Sequence, residues 1–171
     1  ANAGQGITAG TSTYSSKSSF GRRKALSQLQ GMGINSGSYS WNWANPEYTS
    51  YYTDETGNLH IVAWKDQTLY DAVCNSDLNV TNVTTVKLPL PLWGGFYAAP
   101  DGNFYVAAGQ KNLNEDNSIT AVRILKYSRA WKLLGATDIG GGYTNMFEGI
   151  YIPFDAASLR MTQIGSTLIV H

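Results

Sequence analysis

YYTDETGNLHIVAW, Tyr51 to Trp64, and FYAAPDGNFYVAAG, Phe96 to Gly109, are the two stretches whose comparison decides the fold. Each is an aromatic pair, a polar turn, Gly-Asn, and then an apolar strand. Tyr52 matches Tyr97, Gly57 matches Gly102, Asn58 matches Asn103 and Ile61 matches Val106, every pair 45 positions apart. A period of roughly 40–50 residues is the mark of four-stranded meander units of the propeller kind.

The second unit reads most clearly. GGFYAAP is a first strand, and Asp101-Gly102-Asn103 makes a hairpin turn, because Gly and Asn tolerate positive φ. NFYVAAG follows as a short apolar strand of the buried kind. After the polar loop KNLNEDNS comes ITAVRILKYS, with Val122, Ile124 and Leu125 inward and Arg123 and Lys126 outward. A fourth, outer strand begins at Ala130 to Gly135. The first unit repeats this order as EYTSYYT, LHIVAW, TLYDAV after a turn at Lys65-Asp66-Gln67, and NVTTVKLPL. A third unit starts at Ile152-Pro153-Phe154 and runs through SLRMTQIG to STLIVH, with Gly165-Ser166 as its hairpin turn. The expected fold class is therefore all-β, an incomplete propeller-like array of four-stranded meander blades behind an N-terminal arm with a short helix. The arm is residues 1–46, and the blades are 47–92, 93–139 and a partial 140–171.

KYSRAWKLLGATDI, PFDAASLRM and GSTLIVH resemble repeats in a group of large, secreted bacterial β-propeller proteins, mostly uncharacterised. The resemblance extends over residues 48–171. It implies a propeller fold and an extracellular or cell-surface setting, and it implies no activity. About two and a half blades are present, whereas closed propellers need at least about four. Open blades expose an apolar flank and unpaired strand edges. The expectation is a homo-oligomer, or a filament if the contact does not close, with other copies or further chain completing the blades.

Composition points the same way. Charged residues make up 14% of the chain, low beside a typical ~25%, and eleven tyrosines stand among many Gly, Ser, Thr and Asn. Such mixtures are common in extracellular β proteins. Net charge is zero but unevenly placed. Lys17, Arg22, Arg23 and Lys24 make residues 1–46 +4, with no acid, and the other eight bases and twelve acids make the rest −4. Four charges are a poor nucleic-acid footprint, but a basic arm can dock on an acidic body. RRKALSQLQ, residues 22–30, has the spacing of a short helix with Leu26 and Leu29 on one side. No stretch reaches the ~20 apolar residues of a membrane helix. The single cysteine, Cys74, fits a small buried apolar role.

The candidate ligand platform is the run GSYSWNWANPEYTSYY. As a strand it sets Tyr39, Trp41 and Trp43 on one face, where rings either seal the first blade or stack on sugar rings, with Asn45 and Tyr48 nearby. NLNEDNS alternates oxygen-bearing side chains as a calcium loop does, but has Asn117 and Arg123 where an EF-hand needs Gly and Glu; it reads as a solvated loop. Asn79-Val80-Thr81 and Asn82-Val83-Thr84 fit the glycosylation pattern and would mark an exposed outer strand. Paired acids at glycosidase spacing, a nucleophile elbow and a phosphate loop are not legible. His60 lies within a strand and reads as an ordinary satisfied side chain. No cofactor is implied. The expected function is a non-catalytic, self-assembling extracellular module; the alternatives are a carbohydrate-binding or adhesive module and a fragment of a propeller hydrolase.

Overall fold

The computed structural model describes residues 48–140, 152–154 and 158–171. The short helix expected at 22–30 lies outside them, as do Tyr39, Trp41, Trp43 and Asn45. Among the described residues every regular element is a strand. The first sheet is the meander β1 (Thr49–Thr53), β2 (Leu59–Lys65), β3 (Thr68–Cys74) and β4 (Val80–Lys87). The second is β5 (Leu92–Ala98), β6 (Asn103–Gly109), β7 (Thr120–Ser128) and β8 (Leu133–Gly140). The third holds β9 (Met161–Ile164) and β10 (Thr167–Val170), joined through Gly165-Ser166 as expected. All pairings are antiparallel.

The turns repeat as faithfully as the strands. In Asp54–Asn58, Asn75–Asn79, Ala99–Asn103 and Ser128–Lys132, the fourth N–H donates to the first carbonyl and the first N–H donates to the fifth carbonyl. The fourth residue is left-handed in each: Gly57 (φ 86°), Leu78 (φ 59°), Gly102 (φ 79°) and Trp131 (φ 58°). This is the three-residue hairpin loop closed by a bulge. Asn103, expected to share the positive φ of its turn, does not adopt one; Gly102 alone provides it. The β2–β3 connection is a tighter two-residue turn, with Asp66 and Gln67 at φ 50° and 62°.

The second sheet explains why FYVAAG, which follows Asn103, is an unbroken apolar run. Phe104, Val106 and Ala108 pack with Val62, Leu69, Leu88 and Trp93, toward the first sheet. Tyr105 and Ala107 belong to the opposite cluster, with Val122, Ile124, Met161, Leu168 and Val170, toward the third. Successive strand residues point to opposite faces, so a sheet covered on both sides needs apolar residues throughout. The same geometry divides the set expected inward on β7. Val122 and Ile124 face the third sheet, while Leu125 and Tyr127 join the first-sheet cluster.

Phe154 sets the approach to the second sheet. A methyl group built on Gly94 would collide with the Phe154 ring, and one on Gly109 would come 2.9 Å from both Phe154 and Pro153. These glycines make a flat seat for the aromatic ring. β4 is the last strand of the first sheet, with Thr81 and Asn82 exposed. Cys74 is fully buried beside Ile61 and Ala72, and burial pushes its thiol up.

Replacing Gly94 with Ala should overpack this seat and destabilise the fold by about 1–3 kcal/mol in denaturant titration. Gly135→Ala, where an added methyl meets nothing within 4 Å, is the matched control and should move the midpoint far less.

Candidate functional site

Asp71 is the anomaly in the apolar strand TLYDAVC. It lies on the face of β3 directed at the second sheet and is only 3% exposed. A carboxylate so placed must be fully hydrogen-bonded. Tyr52 of β1 donates its phenol to Oδ2 at 2.8 Å, and Trp131 donates Nε1–H to the same oxygen at 2.7 Å. His60 of β2 sets Nδ1 2.7 Å from Oδ1, donating, since the single Tyr52 proton is already committed. The other imidazole nitrogen lies 3.3 Å from Asp54 Oδ2. Burial first, then the Asp71 charge, raises the Tyr52 phenol well above its usual value, which keeps it a donor.

Trp131 comes from the other sheet. It occupies the left-handed position of the β7–β8 turn, which costs a non-glycine residue about 1–2 kcal/mol. The strain swings its indole onto Phe104 (centroids 4.5 Å apart) and Phe96 (6.0 Å), with its nitrogen on Asp71. Tyr52 meets the same rings, 4.9 Å from Phe104 and 5.9 Å from Phe96. An aromatic cluster thus surrounds one buried charge, and both sheets contribute to it.

Beside this cluster a cleft of ≈520 Å³ opens between the β1–β2 and β5–β6 turns. Asp54, Glu55 and His60 line one side, and Pro100, Phe104 and Arg129 the other. Asp54 also caps its own turn. Oδ1 accepts from the Thr56 N–H and hydroxyl and from the Asn58 N–H, and Oδ2 accepts from the Asn58 amide. Thr56 first, and then Asn58 and His60, hold this carboxyl well below the usual range against a smaller effect of burial. Asp101 caps the facing turn, accepting from the Asn103 N–H and the Tyr105 hydroxyl. Burial pushes Asp101 up, but the hydrogen bonds from Asn103, Tyr105 and Lys126 together outweigh it and leave the group at about 2.

Of the residues expected to form the ligand platform, Tyr48 alone is described. It stacks on Trp64 at 5.6 Å, and Trp64 on Trp93 at 6.4 Å, so its ring heads a column leading into the core. His60 is satisfied, as expected, though by two carboxylates. Asp71, Trp131 and Arg129 were not singled out from the sequence. An acid inside an apolar strand was the available signal for Asp71. In the 111–118 loop, Asn112 bonds both the N–H and the carbonyl of Asp116, and Asp116 accepts from Ser118, so these side chains brace the loop itself. Among the described residues no group of three His, Cys, Asp or Glu is placed to hold a metal, and no helix is long and apolar enough to cross a membrane.

No family model, curated protein or solved structure matches this chain.

Two tryptophans make a controlled comparison. Trp131→Phe leaves Asp71 one donor short and should cost about 1–3 kcal/mol in chemical denaturation. Trp64→Phe removes a buried indole N–H that has no partner, so it should cost clearly less. The acid limb tests the caps. Folding holds Asp54 and Asp101 deprotonated where the unfolded chain takes up protons, near the ordinary 3.8. Their contribution is therefore complete above that value and is lost as pH falls toward about 2, where Asp101 titrates. The denaturation midpoint should drop through this window, with a shallower slope in Asp54→Asn and Asp101→Asn.

Proposed function

We propose that this chain is a non-catalytic, propeller-like module of the cell exterior that completes its open sides by associating with other copies. The observation that carries this reading is the third sheet. One face of the β9–β10 hairpin packs on the second sheet through Met161, Leu168 and Val170. The other presents Ile164, 66% exposed, and Ile169, 43% exposed. Next to it runs a groove of ≈460 Å³ between β7, β8 and β10, lined by Ile124, Ile139, Leu168 and Val170. β8 adds exposed Leu133 and Leu134 along a sheet edge that no other described strand pairs. Exposed apolar side chains beside free edges are the usual setting for strand addition and sheet stacking.

The blade interpretation draws support from the matched meanders, the shared turn geometry and the face-to-face packing of the sheets. The non-catalytic reading draws support from the buried cluster. Asp71 is nearly inaccessible and engaged by three donors, so it presents no free carboxylate to a substrate. Residues 1–46, with their four positive charges, are the part of the chain we assign to docking on the acidic body of a neighbouring copy.

Light scattering after size exclusion, over a hundredfold range of protein concentration, tests the association. The wild type should gain mass with concentration, and Ile164→Lys with Ile169→Lys should shift it to monomer with an unchanged β-sheet circular dichroism spectrum. A folded wild-type monomer at every concentration would refute the reading.

A further inference from the structure

The cleft beside the Asp71 cluster has a chemistry of its own. Arg129 stands on one wall, in the same turn as Trp131. Its guanidinium carbon lies 4.6 Å from the Phe104 ring centroid and 5.6 Å from that of Tyr52. Nη2 donates to the Ala99 carbonyl at 3.0 Å. The stacking and the single hydrogen bond hold the plane of the group in place, while its other N–H donors meet no acceptor among the described residues. Among the described residues no carboxylate pairs with it, although Asp54 and Glu55 line the same cleft. A planar guanidinium seated on aromatic rings is a fork for a carboxylate.

The facing wall offers the opposite chemistry. Glu55 is exposed at the rim, beside Asp54 and Thr56, whose side-chain oxygens are already engaged within their own turn. Carboxylates accept hydrogen bonds from hydroxyl groups and repel a bare anion. A ligand suited to both walls carries a carboxylate at one end and hydroxyls at the other. A hexuronic acid has its carboxylate on one side of a pyranose ring and free hydroxyls across it. A volume of ≈520 Å³ lies within the range of small-molecule sites, about 300–1,000 Å³. The polar set also occurs only once in the two matched units. In the second, Ala99 replaces Asp54 and Tyr105 replaces His60 at the 45-residue offset. The repeat explains the hairpins but not this cluster.

We infer that the cleft binds a hexuronic acid unit of an acidic polysaccharide, its carboxylate on the Arg129 guanidinium and its ring hydroxyls on the Glu55 carboxylate at the facing rim. Its lining shares no residue with the groove between β7, β8 and β10.

Calorimetric titration with galacturonate, glucuronate, galactose and the methyl ester of galacturonic acid tests it, with indole fluorescence as a second readout because Trp131 touches Phe104. One or both uronates should bind saturably, and galactose and the ester at least about tenfold more weakly, the loss expected for one charge-assisted contact. Arg129→Met keeps a long side chain over Phe104 and should abolish uronate binding while the protein stays folded. Arg129→Lys should retain part of the affinity. Three results would overturn the inference: equal binding of galactose, unchanged uronate binding in folded Arg129→Met, or no saturable uronate binding up to millimolar concentrations. Displacement of uronate by equimolar acetate or phosphate would also overturn it, by showing a site that reads only charge.

Discussion

One carboxylate joins the two complete sheets. Asp71 is nearly inaccessible to water, and a charge in that position is tolerated only when donors surround it. Two of its donors, Tyr52 and His60, come from its own sheet, and the third comes from Trp131, 60 residues further along. Hydrophobic contact alone would let two sheets slide, since apolar packing is weakly directional. A hydrogen bond between an indole nitrogen and a buried carboxylate oxygen is directional, and it selects one relative placement. The strained φ of Trp131 is coherent with that role, because it delivers the ring to both the aromatic cluster and the carboxylate.

The second sheet shows how the rest follows from being covered on both sides. Alternate residues from Phe104 to Ala108 enter different clusters, so that stretch of β6 has no polar position to spare. Its glycines have a packing role as well, since Gly94 and Gly109 admit the Phe154 ring against the backbone. The third sheet inherits one buried face from this contact and leaves its other face apolar and exposed, which is the physical basis for the association we propose.

The cleft belongs to the same construction. The turn that carries Trp131 inward sets Arg129 over Phe104, so the element that locks the sheets also presents a cation at the mouth of the gap between them. Asp54 likewise caps its turn, meets His60 and lines the cleft. A binding surface held by such a lock is rigid before a ligand arrives, which lowers the ordering cost of recognition.

Strand order, the meander pairing and most turn positions were legible in the sequence, because they rest on local signals: a 45-residue echo, alternation, and Gly-Asn after a polar stretch. Leu78 and Trp131 in left-handed turns were not legible, because their side chains disfavour that conformation and only packing overrides it. The division of Val122 and Ile124 from Leu125 was hidden for a related reason: apolar character marks burial without naming which neighbour provides it. The Asp71 cluster depends on contacts as much as 60 residues apart, and no pattern of spacing encodes them. The sequence by itself determined the repeated antiparallel hairpins of the described residues, since periodicity and turn chemistry act over a few residues. Tertiary structure alone decided which charge would be buried, which tryptophan would satisfy it and where a cleft would open, since those outcomes depend on two sheets meeting face to face.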